Sequence, residues 1–519
     1  MKRLLWLATL ACAAALAACG GGGGSTIPPP PPAGGFTLSS LKGQYAFSMS
    51  GSDQSGAYFA RTGSFVADGA GNISSAIEDV VDLGAGITAE VTFVPGNYSV
   101  QANGRGIIAL KDTSGDLPLM LTMDLQSPGQ GFLVETDGNA ATSGSFNLQT
   151  IADFLPNSFN GNYIFDFSGA DSSGANTSII GNISANGSGL SITAGLIDTN
   201  DSTNGPVGPT PLTLPGTFAL DATYGATFGR GTAAFAGHTY AFYIVDTTQI
   251  MFLQEDSQGG SSGDAFLQSG AIPTNNTGFT GSFAYLVGGA SLSTFGPDAA
   301  VARFTPNGAG GIGTISYDEN NSGTPLHISQ GSNISNATYA IDTTNAGSGR
   351  GTFTFTDSSS ARTFQYVFYL ISPTSGVIQD VSTGIVADGT LLAQTGAPFT
   401  LAGLAGNYAF NWSGASASAV ENYVGQYALA NTATNNISGV VDATSLDVNG
   451  VASFPNSGLQ GTLTITSDGS ANNTYQISAG NSVASTYGFQ AYIVDANTVL
   501  LLSTDKTRVL AGFVSRQSQ

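Results

Sequence analysis

The chain has 519 residues, with 34 Asp and Glu against 13 Lys and Arg, which gives a formal net charge of −21 at pH 7. This charge repels phosphate backbones and anionic lipid, so it excludes nucleic-acid binding and membrane attachment through a basic surface. Only 9% of the residues are charged, whereas 71 are glycine. A composition rich in glycine, small polar and β-branched residues is typical of strands and turns, so we expect an all-β protein.

The first 18 residues have the features of an export signal. A basic start, Met1–Arg3, precedes a short apolar run that ends in small residues, which is typical of a signal peptide rather than of a permanent membrane helix. The end of this run, Leu-Ala-Ala-Cys at residues 16–19, resembles the lipobox of bacterial lipoproteins. The resemblance implies cleavage before Cys19 and lipidation of Cys19. Because Gly20 rather than Asp follows, it also implies an outer-membrane lipoprotein, facing either the periplasm or the cell exterior.

Residues 19–35 form a predicted tether between the lipidated cysteine and the body of the protein. Five glycines are followed by five prolines. The glycines give a flexible segment, and the prolines favour a polyproline II rod of roughly 15 Å at ~3.1 Å per residue. Cys12 leaves with the signal and Cys19 carries lipid, so we expect the mature domains to be stabilised by packing without a disulfide.

Four copies of one unit follow the tether. The motif that opens each copy, Gly-x-Tyr or Gly-x-Phe, recurs with its glycine at Gly43, Gly161, Gly281 and Gly406. Further motifs recur in the same order, including an Asx-Gly-x-Gly hairpin in three copies. Such self-similarity predicts tandem domains, which we place at 36–150, 154–271, 277–396 and 400–519.

Within a unit, large apolar residues alternate with small or polar ones, the pattern of a half-buried strand. Asx-Gly pairs between the segments are typical of tight hairpins. The first unit contains about eight such segments and a closing or ninth piece: Gln44–Ser50, Ala57–Ala67, Asn72–Asp82, Ile87–Val94, Asn97–Gln101, Gly106–Lys111, Leu119–Gln126, Phe132–Thr136 and Gly144–Leu148. A long antiparallel meander exposes two edges unless it closes, so we predict an eight-stranded up-and-down barrel per unit, with a β-sandwich as the alternative.

The opening Gly-x-Tyr strand and the strand count resemble lipocalin and avidin barrels. Taken whole, the repeat resembles uncharacterised tandem β-repeat lipoproteins of bacteria over residues 36–519. This resemblance implies a fold and a location, and it implies no activity.

Two glycine motifs lack the context that their chemistry requires. Gly308–Gly313 matches G-x-G-x-x-G but lies on a predicted hairpin instead of at the start of a helix. Gly259–Gly263 matches G-x-S-x-G, yet we interpret it as a loop without a histidine partner. His238 and His327 lie in different units, so a Ser-His-Asp triad or a zinc site lacks parts. We expect no catalytic residues, no cofactor and no enzyme activity.

A Gly-Arg-Gly motif recurs in the first three copies, at Arg105, Arg230 and Arg350, and its expected counterpart in the fourth copy is Gly458-Leu459-Gln460-Gly461. One interpretation is structural: the arginine stems cover a barrel end and pair with an acid late in the same unit. These acids are Glu135, Glu255, Asp380 and Asp505. The other interpretation is a repeated anion-binding site.

Acidic loops supply oxygen atoms of the kind that bind Ca²⁺. The candidates for such a site are Asp198, Asn200 and Asp201, although the EF-hand spacing is lacking and solvated loops are the simpler interpretation.

These observations favour a non-enzymatic, lipid-anchored envelope protein that presents tandem β domains for binding, adhesion or scaffolding, with an envelope protein or a glycan as its partner. The alternative is a carrier of small apolar ligands inside the barrels. Inward-facing Tyr45, Phe47 and Met49 favour a filled interior instead. An enzyme is a third hypothesis, and a membrane-spanning barrel is disfavoured because such a protein rarely needs a lipid anchor.

Overall fold

The computed structural model describes residues 35–113, 118–329, 333–416, 418–430, 436–466, 468–478 and 485–519. The predicted signal peptide, Cys19 and nearly all of the tether lie outside these residues. The described chain is built almost entirely of antiparallel strands in four separate sheets, one after another along the sequence. The prediction of an all-β chain with four tandem barrels is therefore confirmed, and the sandwich alternative is wrong.

The first and fourth sheets, here called barrels 1 and 4, are closed and have eight strands each. Sequence neighbours pair throughout, and the last strand pairs with the first. Barrel 1 consists of β1 (Lys42–Asp53), β2 (Tyr58–Asp68), β3 (Asn72–Asp82), β4 (Gly86–Val100), β5 (Arg105–Asp112), β6 (Pro118–Ser127), β7 (Gln130–Glu135) and β8 (Ala140–Leu148).

Barrel 2 closes in the same way, through the pairing of β9 with β17, and it carries one additional strand, β12, on the edge of β11. Its strands are β9 (Gly161–Asp171), β10 (Asn176–Asn186), β11 (Ser191–Asp201), β12 (Gly205–Pro211), β13 (Gly216–Leu220), β14 (Arg230–Phe235), β15 (His238–Ile244), β16 (Gln249–Gln254) and β17 (Gly259–Leu267).

Barrel 3 is nearly closed. Its additional strand, β21, pairs with β20, and one isolated bridge, Gly311 to Thr338, spans the gap between β20 and β22. Its strands are β18 (Phe283–Ser291), β19 (Gly296–Pro306), β20 (Ile312–Asn321), β21 (Thr324–Ser329), β22 (Ile334–Ile341), β23 (Arg350–Asp357), β24 (Thr363–Ser372), β25 (Ser375–Asp380) and β26 (Ile385–Ala393).

Barrel 4 completes the chain. Its strands are β27 (Gly406–Ser416), β28 (Val420–Leu429), β29 (Asn436–Asp447), β30 (Gly450–Ile465), β31 (Ser470–Ser478), β32 (Ser485–Ile493), β33 (Thr498–Ser503) and β34 (Arg508–Arg516). The helical elements are single turns: α1 (Gly225–Phe228), α2 (Leu401–Leu404) and 3₁₀ turns at Leu38–Ser40, Ile151–Asp153, Pro156–Ser158 and Asn276–Gly278. Among the described residues, no helix has the length and apolar character needed to cross a membrane.

The nine segments predicted for the first unit form eight strands, and the closing piece, Gly144–Leu148, is part of β8. The predicted segments Ile87–Val94 and Asn97–Gln101 are one strand, because β4 runs through both and ends at Val100, and its register against β5 shifts between Val94 and Asn97. Pro95 lies at this shift and cannot donate a backbone hydrogen bond, so the strand continues through a bulge.

Aromatic side chains fill the barrel interiors. In barrel 3 the rings of Phe304 and Phe353 are stacked with centroids 4.9 Å apart, and Phe353 stacks on Tyr366 at 4.6 Å. All three residues are buried, and each of the other barrels has an apolar cluster of the same kind. The alternation of large and small residues along each strand therefore produces a packed core in each barrel. Side chains occupy the interior space that an apolar ligand would need.

The four barrels contact one another in a ring. Apolar clusters lie between barrels 1 and 2, between 2 and 3, and between 3 and 4. A fourth cluster joins Phe132 and Val134 of barrel 1 to Ala409 and Val424 of barrel 4. The first and last barrels are distant in sequence, so this last contact closes the ring.

Phe304→Ala should destabilise the protein by about 3–5 kcal/mol, because it removes a ring from the packed interior of barrel 3 and leaves a cavity. The free energy of urea unfolding measures this change. Phe295→Ala is the matched control, since Phe295 is 93% exposed in the turn between β18 and β19 and its loss should change stability by less than about 0.5 kcal/mol. Equal effects of the two variants would contradict the filled interior.

Candidate functional site

The repeated arginines lie at the junctions between barrels. Arg230, the first residue of β14, donates from Nε and Nη2 to Oδ2 and Oδ1 of Asp79 in barrel 1, both at 2.9 Å. Tyr243, which faces Arg230 across the β14–β15 ladder, donates to Oδ2 of Asp79 at 2.7 Å. The backbone N–H of Glu90 donates to Oδ1 at 2.7 Å. We call this arrangement, in which one barrel supplies a buried aspartate and the next supplies the arginine, an aspartate clamp.

Two other junctions repeat the clamp. Between barrels 2 and 3, Arg350 donates to both carboxylate oxygens of Asp198 at 2.7 and 2.8 Å, and Tyr369 donates at 2.6 Å. Between barrels 4 and 1, Arg105 donates to both oxygens of Asp442 at 2.7 and 2.6 Å. Barrels 4 and 1 are not consecutive in the chain, yet their junction has the same arginine–aspartate ion pair as the junctions between barrels 1 and 2 and between barrels 2 and 3.

A bulge positions each clamped aspartate. The strand pairing shifts register at Asp79 in β3, at Asp198 in β11 and at Asp442 in β29. On the facing strands, Glu90 and Asn456 have positive φ angles of 58° and 55°. This backbone geometry directs their N–H groups to the carboxylates of Asp79 and Asp442, at 2.7 Å in both cases.

A glutamine after the last strand of each barrel forms a second repeated contact. Gln149 donates from Nε2 to the carbonyl oxygens of Phe228 and Ile244 in barrel 2, at 3.0 and 2.6 Å. At the ring closure, Gln517 donates to carbonyl oxygens of barrel 1 at 2.9 and 2.8 Å. The complete set is Gln149, Gln268, Gln394 and Gln517. Sequence reasoning missed it, although a Gln followed by Thr or Ser ends every copy.

The predicted pairing of each arginine with a late acid of its own unit is wrong as a general rule. The bidentate partner always belongs to the preceding barrel, because the Gly-Arg turn lies at the junction. Only Arg230 also approaches its own late acid, with Nη2 3.8 Å from Glu255, whereas Glu135 pairs with Arg61 at 3.2 Å. With the guanidinium groups held by buried carboxylates, the anion-binding interpretation has no support in the geometry.

The predicted fourth counterpart, Gly458–Gly461, is also wrong. The N–H of Ile493 donates to the carbonyl oxygen of Gly469, just as the N–H of Ile244 donates to that of Gly229 in barrel 2. Ser470 therefore occupies the arginine position in barrel 4. The sequence comparison aligned the wrong segment because barrel 4 has no arginine at this position.

The three calcium candidates have separate partners. Asp198 belongs to the clamp between barrels 2 and 3, and Asn200 donates to carbonyl oxygens of Asp380 and Ile385, both at 2.8 Å. Asp201 accepts backbone N–H groups within its own turn. In the part of the chain that the structure describes, no group of three or more His, Cys, Asp or Glu side chains has an arrangement that could hold a metal ion.

The other chemical motifs also lie in ordinary strand structure. The G-x-S-x-G stretch, Gly259–Gly263, is the first half of β17 and not a loop, because it pairs with β9 to close barrel 2. Gly308–Gly313 spans the hairpin between β19 and β20. His238 contacts Asp256 at 3.2 Å, and His327 contacts Asp318 at 2.8 Å.

A cavity of about 580 Å³ lies where the barrels meet, lined by strands of barrels 1, 2 and 3 and by Phe513 of barrel 4. Asp166 and Asp264, which face each other across the β9–β17 ladder, are on its wall. Burial raises the pKa of Asp264 and of nearby Asp388 to about 6. Burial also raises the pKa of Asp166 well above its ordinary value, and the charges of Asp388 and Asp264 add to the rise. This cavity favours neutral carboxyl groups.

No family model matches the chain, and no curated protein matches it in sequence. Among solved structures, kievitone hydratase from Nectria haematococca is 10% identical with a TM-score of 0.18, over 44% of this chain and 91% of that chain. CghA with Sch210972 is 10% identical with a TM-score of 0.17, over 69% of this chain and 88% of that chain. Likeness this distant carries no functional argument, so the function has to be inferred from the geometry.

Arg105→Ala should lower the free energy of unfolding by about 3–5 kcal/mol, because it leaves the carboxylate of Asp442 buried without its cation. Urea unfolding measures the loss. The double variant Arg105→Ala/Asp442→Ala should lose less unfolding free energy than the sum of the losses in the two single variants, because it no longer buries an unpaired carboxylate. Lys111→Ala, at an exposed position on the same strand, is the control. The same urea midpoint for Arg105→Ala and Lys111→Ala would show that the clamp does not stabilise the ring.

Asp264→Asn should make stability less dependent on pH. A folded-state pKa of about 6 lies above the ordinary value of about 4, so the folded state binds more protons and loses stability as pH rises from about 4 through 6. The amide has no such proton, so the variant should be more stable than the natural protein at pH 7, by up to about 3 kcal/mol. Unfolding free energies from pH 4 to 8 test this, and parallel pH curves would contradict it.

Proposed function

We propose that this protein is a non-enzymatic, lipid-anchored component of a bacterial cell envelope that presents its four barrels as one binding or scaffolding platform. The observation that carries the proposal is the closure of the ring. The junction between barrels 4 and 1 has the arginine–aspartate pair, the glutamine contact and an apolar cluster, as do the junctions between barrels 1 and 2 and between barrels 2 and 3. Closure fixes the relative positions of four surfaces, which is useful for presenting a binding surface.

The position of the tether supports the anchoring part of the proposal. Gly35, the first described residue, lies against the side chain of Gln519 at the other end of the chain. The backbone N–H of Phe36 donates to the carbonyl oxygen of Ala102 in barrel 1 at 3.3 Å. The tether therefore reaches the ring beside the seam between barrels 1 and 4, and the predicted lipidated residue, Cys19, precedes this point by 16 residues of glycine- and proline-rich chain.

The filled interiors favour a platform over the alternative of an apolar-ligand carrier. Fully buried aromatic rings occupy the barrel cores, for example Tyr163, Tyr285 and Trp412. The larger cavities lie between barrels or on their outer surfaces, where a protein or glycan partner has access. We therefore place binding on the outside of the barrels and at their junctions.

Cys19→Ser should abolish lipid attachment and release the protein from the membrane. The test is labelling with radioactive palmitate in a Gram-negative host that expresses the full-length chain, followed by fractionation. The natural protein should be labelled and recovered with the outer membrane, whereas the variant should be unlabelled. Cys12→Ser is a matched control, because it changes the only other cysteine, which the predicted cleavage removes.

Two results would overturn the proposal. Label and membrane recovery that persist in the Cys19→Ser protein would exclude the anchor. Turnover of a glycan, ester or peptide by the purified protein, abolished by a single surface substitution, would exclude the non-enzymatic function.

A further inference from the structure

The junction between barrels 3 and 4 has an aspartate clamp without its arginine. Asp318 in β20 holds the position of Asp79, and Tyr492 donates to its Oδ2 at 2.7 Å, as Tyr243 does to Asp79. Ser470 faces Tyr492 across the β31–β32 ladder, just as Arg230 faces Tyr243 in barrel 2. The acceptor and the tyrosine of the clamp are kept, and the guanidinium group is replaced by a hydroxyl.

A cavity of about 460 Å³ lies beside this incomplete clamp. Both barrels line it, and its wall includes Asp318, His327, Ser470 and Gln490. Asp318 is only 6% exposed, so a buried carboxylate forms part of the cavity wall. At three other junctions the chain places its own guanidinium group against the equivalent aspartate.

The charged groups near the cavity leave a place for a cation. His327 approaches Oδ1 of Asp318 at 2.8 Å from an exposed position on β21. Glu319 is already paired with Arg362, and Arg303 donates to Asp468 at 2.8 Å. An ionised carboxylate has about four acceptor sites, and Asp79 accepts four hydrogen bonds in the complete clamp. Within the part of the chain that the structure describes, Asp318 has two such contacts, from Tyr492 and His327.

We propose that the cavity between barrels 3 and 4 binds an alkylguanidinium group supplied by a ligand, with Asp318 as its acceptor. This inference rests on the proposed function of the ring as a binding platform. The planar, two-pronged guanidinium group matches a carboxylate better than an ammonium group does, and it is the group used at the three complete clamps. Its source is either a small guanidine or an arginine side chain of a partner chain.

Isothermal titration of the purified full-length protein in detergent distinguishes the two sources. The probes are propylguanidinium and the peptide acetyl-Gly-Arg-Gly-amide, which repeats the motif of the complete clamps. Propylurea and the same peptide with citrulline are the uncharged controls. We expect one site per chain and at least tenfold weaker binding of each uncharged control. Binding of the peptide alone indicates an arginine of a partner, whereas binding of propylguanidinium as well indicates a site open to small guanidines.

Three variants test the position of the site. Ser470→Arg should fill the cavity with the chain's own guanidinium group, weaken probe binding at least tenfold and raise the unfolding temperature. Asp318→Asn should also weaken binding at least tenfold, which keeps the test valid if the arginine variant does not fold. Ser470→Ala should bind like the natural protein.

The inference is overturned if neither charged probe binds the natural protein at tens of millimolar, or if Ser470→Arg and Asp318→Asn bind as well as Ser470→Ala. In either case His327 alone completes the clamp. The titration does not depend on lipidation, so its failure leaves the membrane-anchoring test with Cys19→Ser untouched. In the same way, failure of the anchoring test does not affect the titration, which measures guanidinium binding by the cavity.

Discussion

A buried aspartate whose donors belong to the next barrel is the constraint on which the arrangement of the four barrels depends. Removing a carboxylate from water is costly unless hydrogen bonds and an opposite charge replace the solvent. Asp79 is completely buried, yet three of its four hydrogen bonds come from Arg230 and Tyr243 of the following barrel. Barrel 1 alone therefore leaves Asp79 without a cation, whereas Arg230 keeps weaker contacts with Asp221 and Glu255 of its own barrel, at 3.4 and 3.8 Å. The ion pair therefore gives the junction its specificity, while the apolar clusters around it supply the bulk of the buried surface.

Each barrel has the acceptor on one side and the donors on another, so the contact is head-to-tail. Head-to-tail contacts either continue indefinitely or close into a ring, depending on the rotation from one unit to the next. Here the rotation closes after four units, because Asp442 of the last barrel meets Arg105 of the first. Gln517, which follows the last strand of barrel 4, donates across this seam to a carbonyl oxygen of barrel 1. A single polypeptide thus forms the kind of ring that separate subunits form in a cyclic oligomer.

Local signals in the sequence predicted the barrels well and their assembly poorly. Alternation and Asx-Gly turns depend on neighbouring residues, so strands such as β2 and β3 fall within a residue of their predicted bounds. The arginines were visible because glycines flank them, but Arg230 and Asp79 are 151 positions apart and meet only after two barrels dock. The glutamine contacts depend on one residue per copy, and a glutamine flanked only by Thr or Ser is hard to distinguish in the sequence from a surface glutamine. Asp198, one of the calcium candidates, shows the same difficulty, since it resembles a solvated loop acid until its partner barrel is in place.

The clamps differ from one another in a way that bears on function. At the seam, Asp124 replaces the clamp tyrosine, and its pKa is raised well above the ordinary value by burial and by the charge of Asp442, which favours its neutral form beside Arg105. Between barrels 3 and 4 the tyrosine is kept and the arginine is lost. The first change keeps the ion pair that closes the ring, and barrels 1 and 4 have no direct chain connection to hold them together. The second change removes an ion pair at a junction that the chain itself links, where its loss is easier to tolerate. In such a ring, a junction between covalently linked barrels is therefore the one that tolerates the loss of its arginine, because the chain still holds the two barrels together. The cavity beside that junction is then available to a ligand.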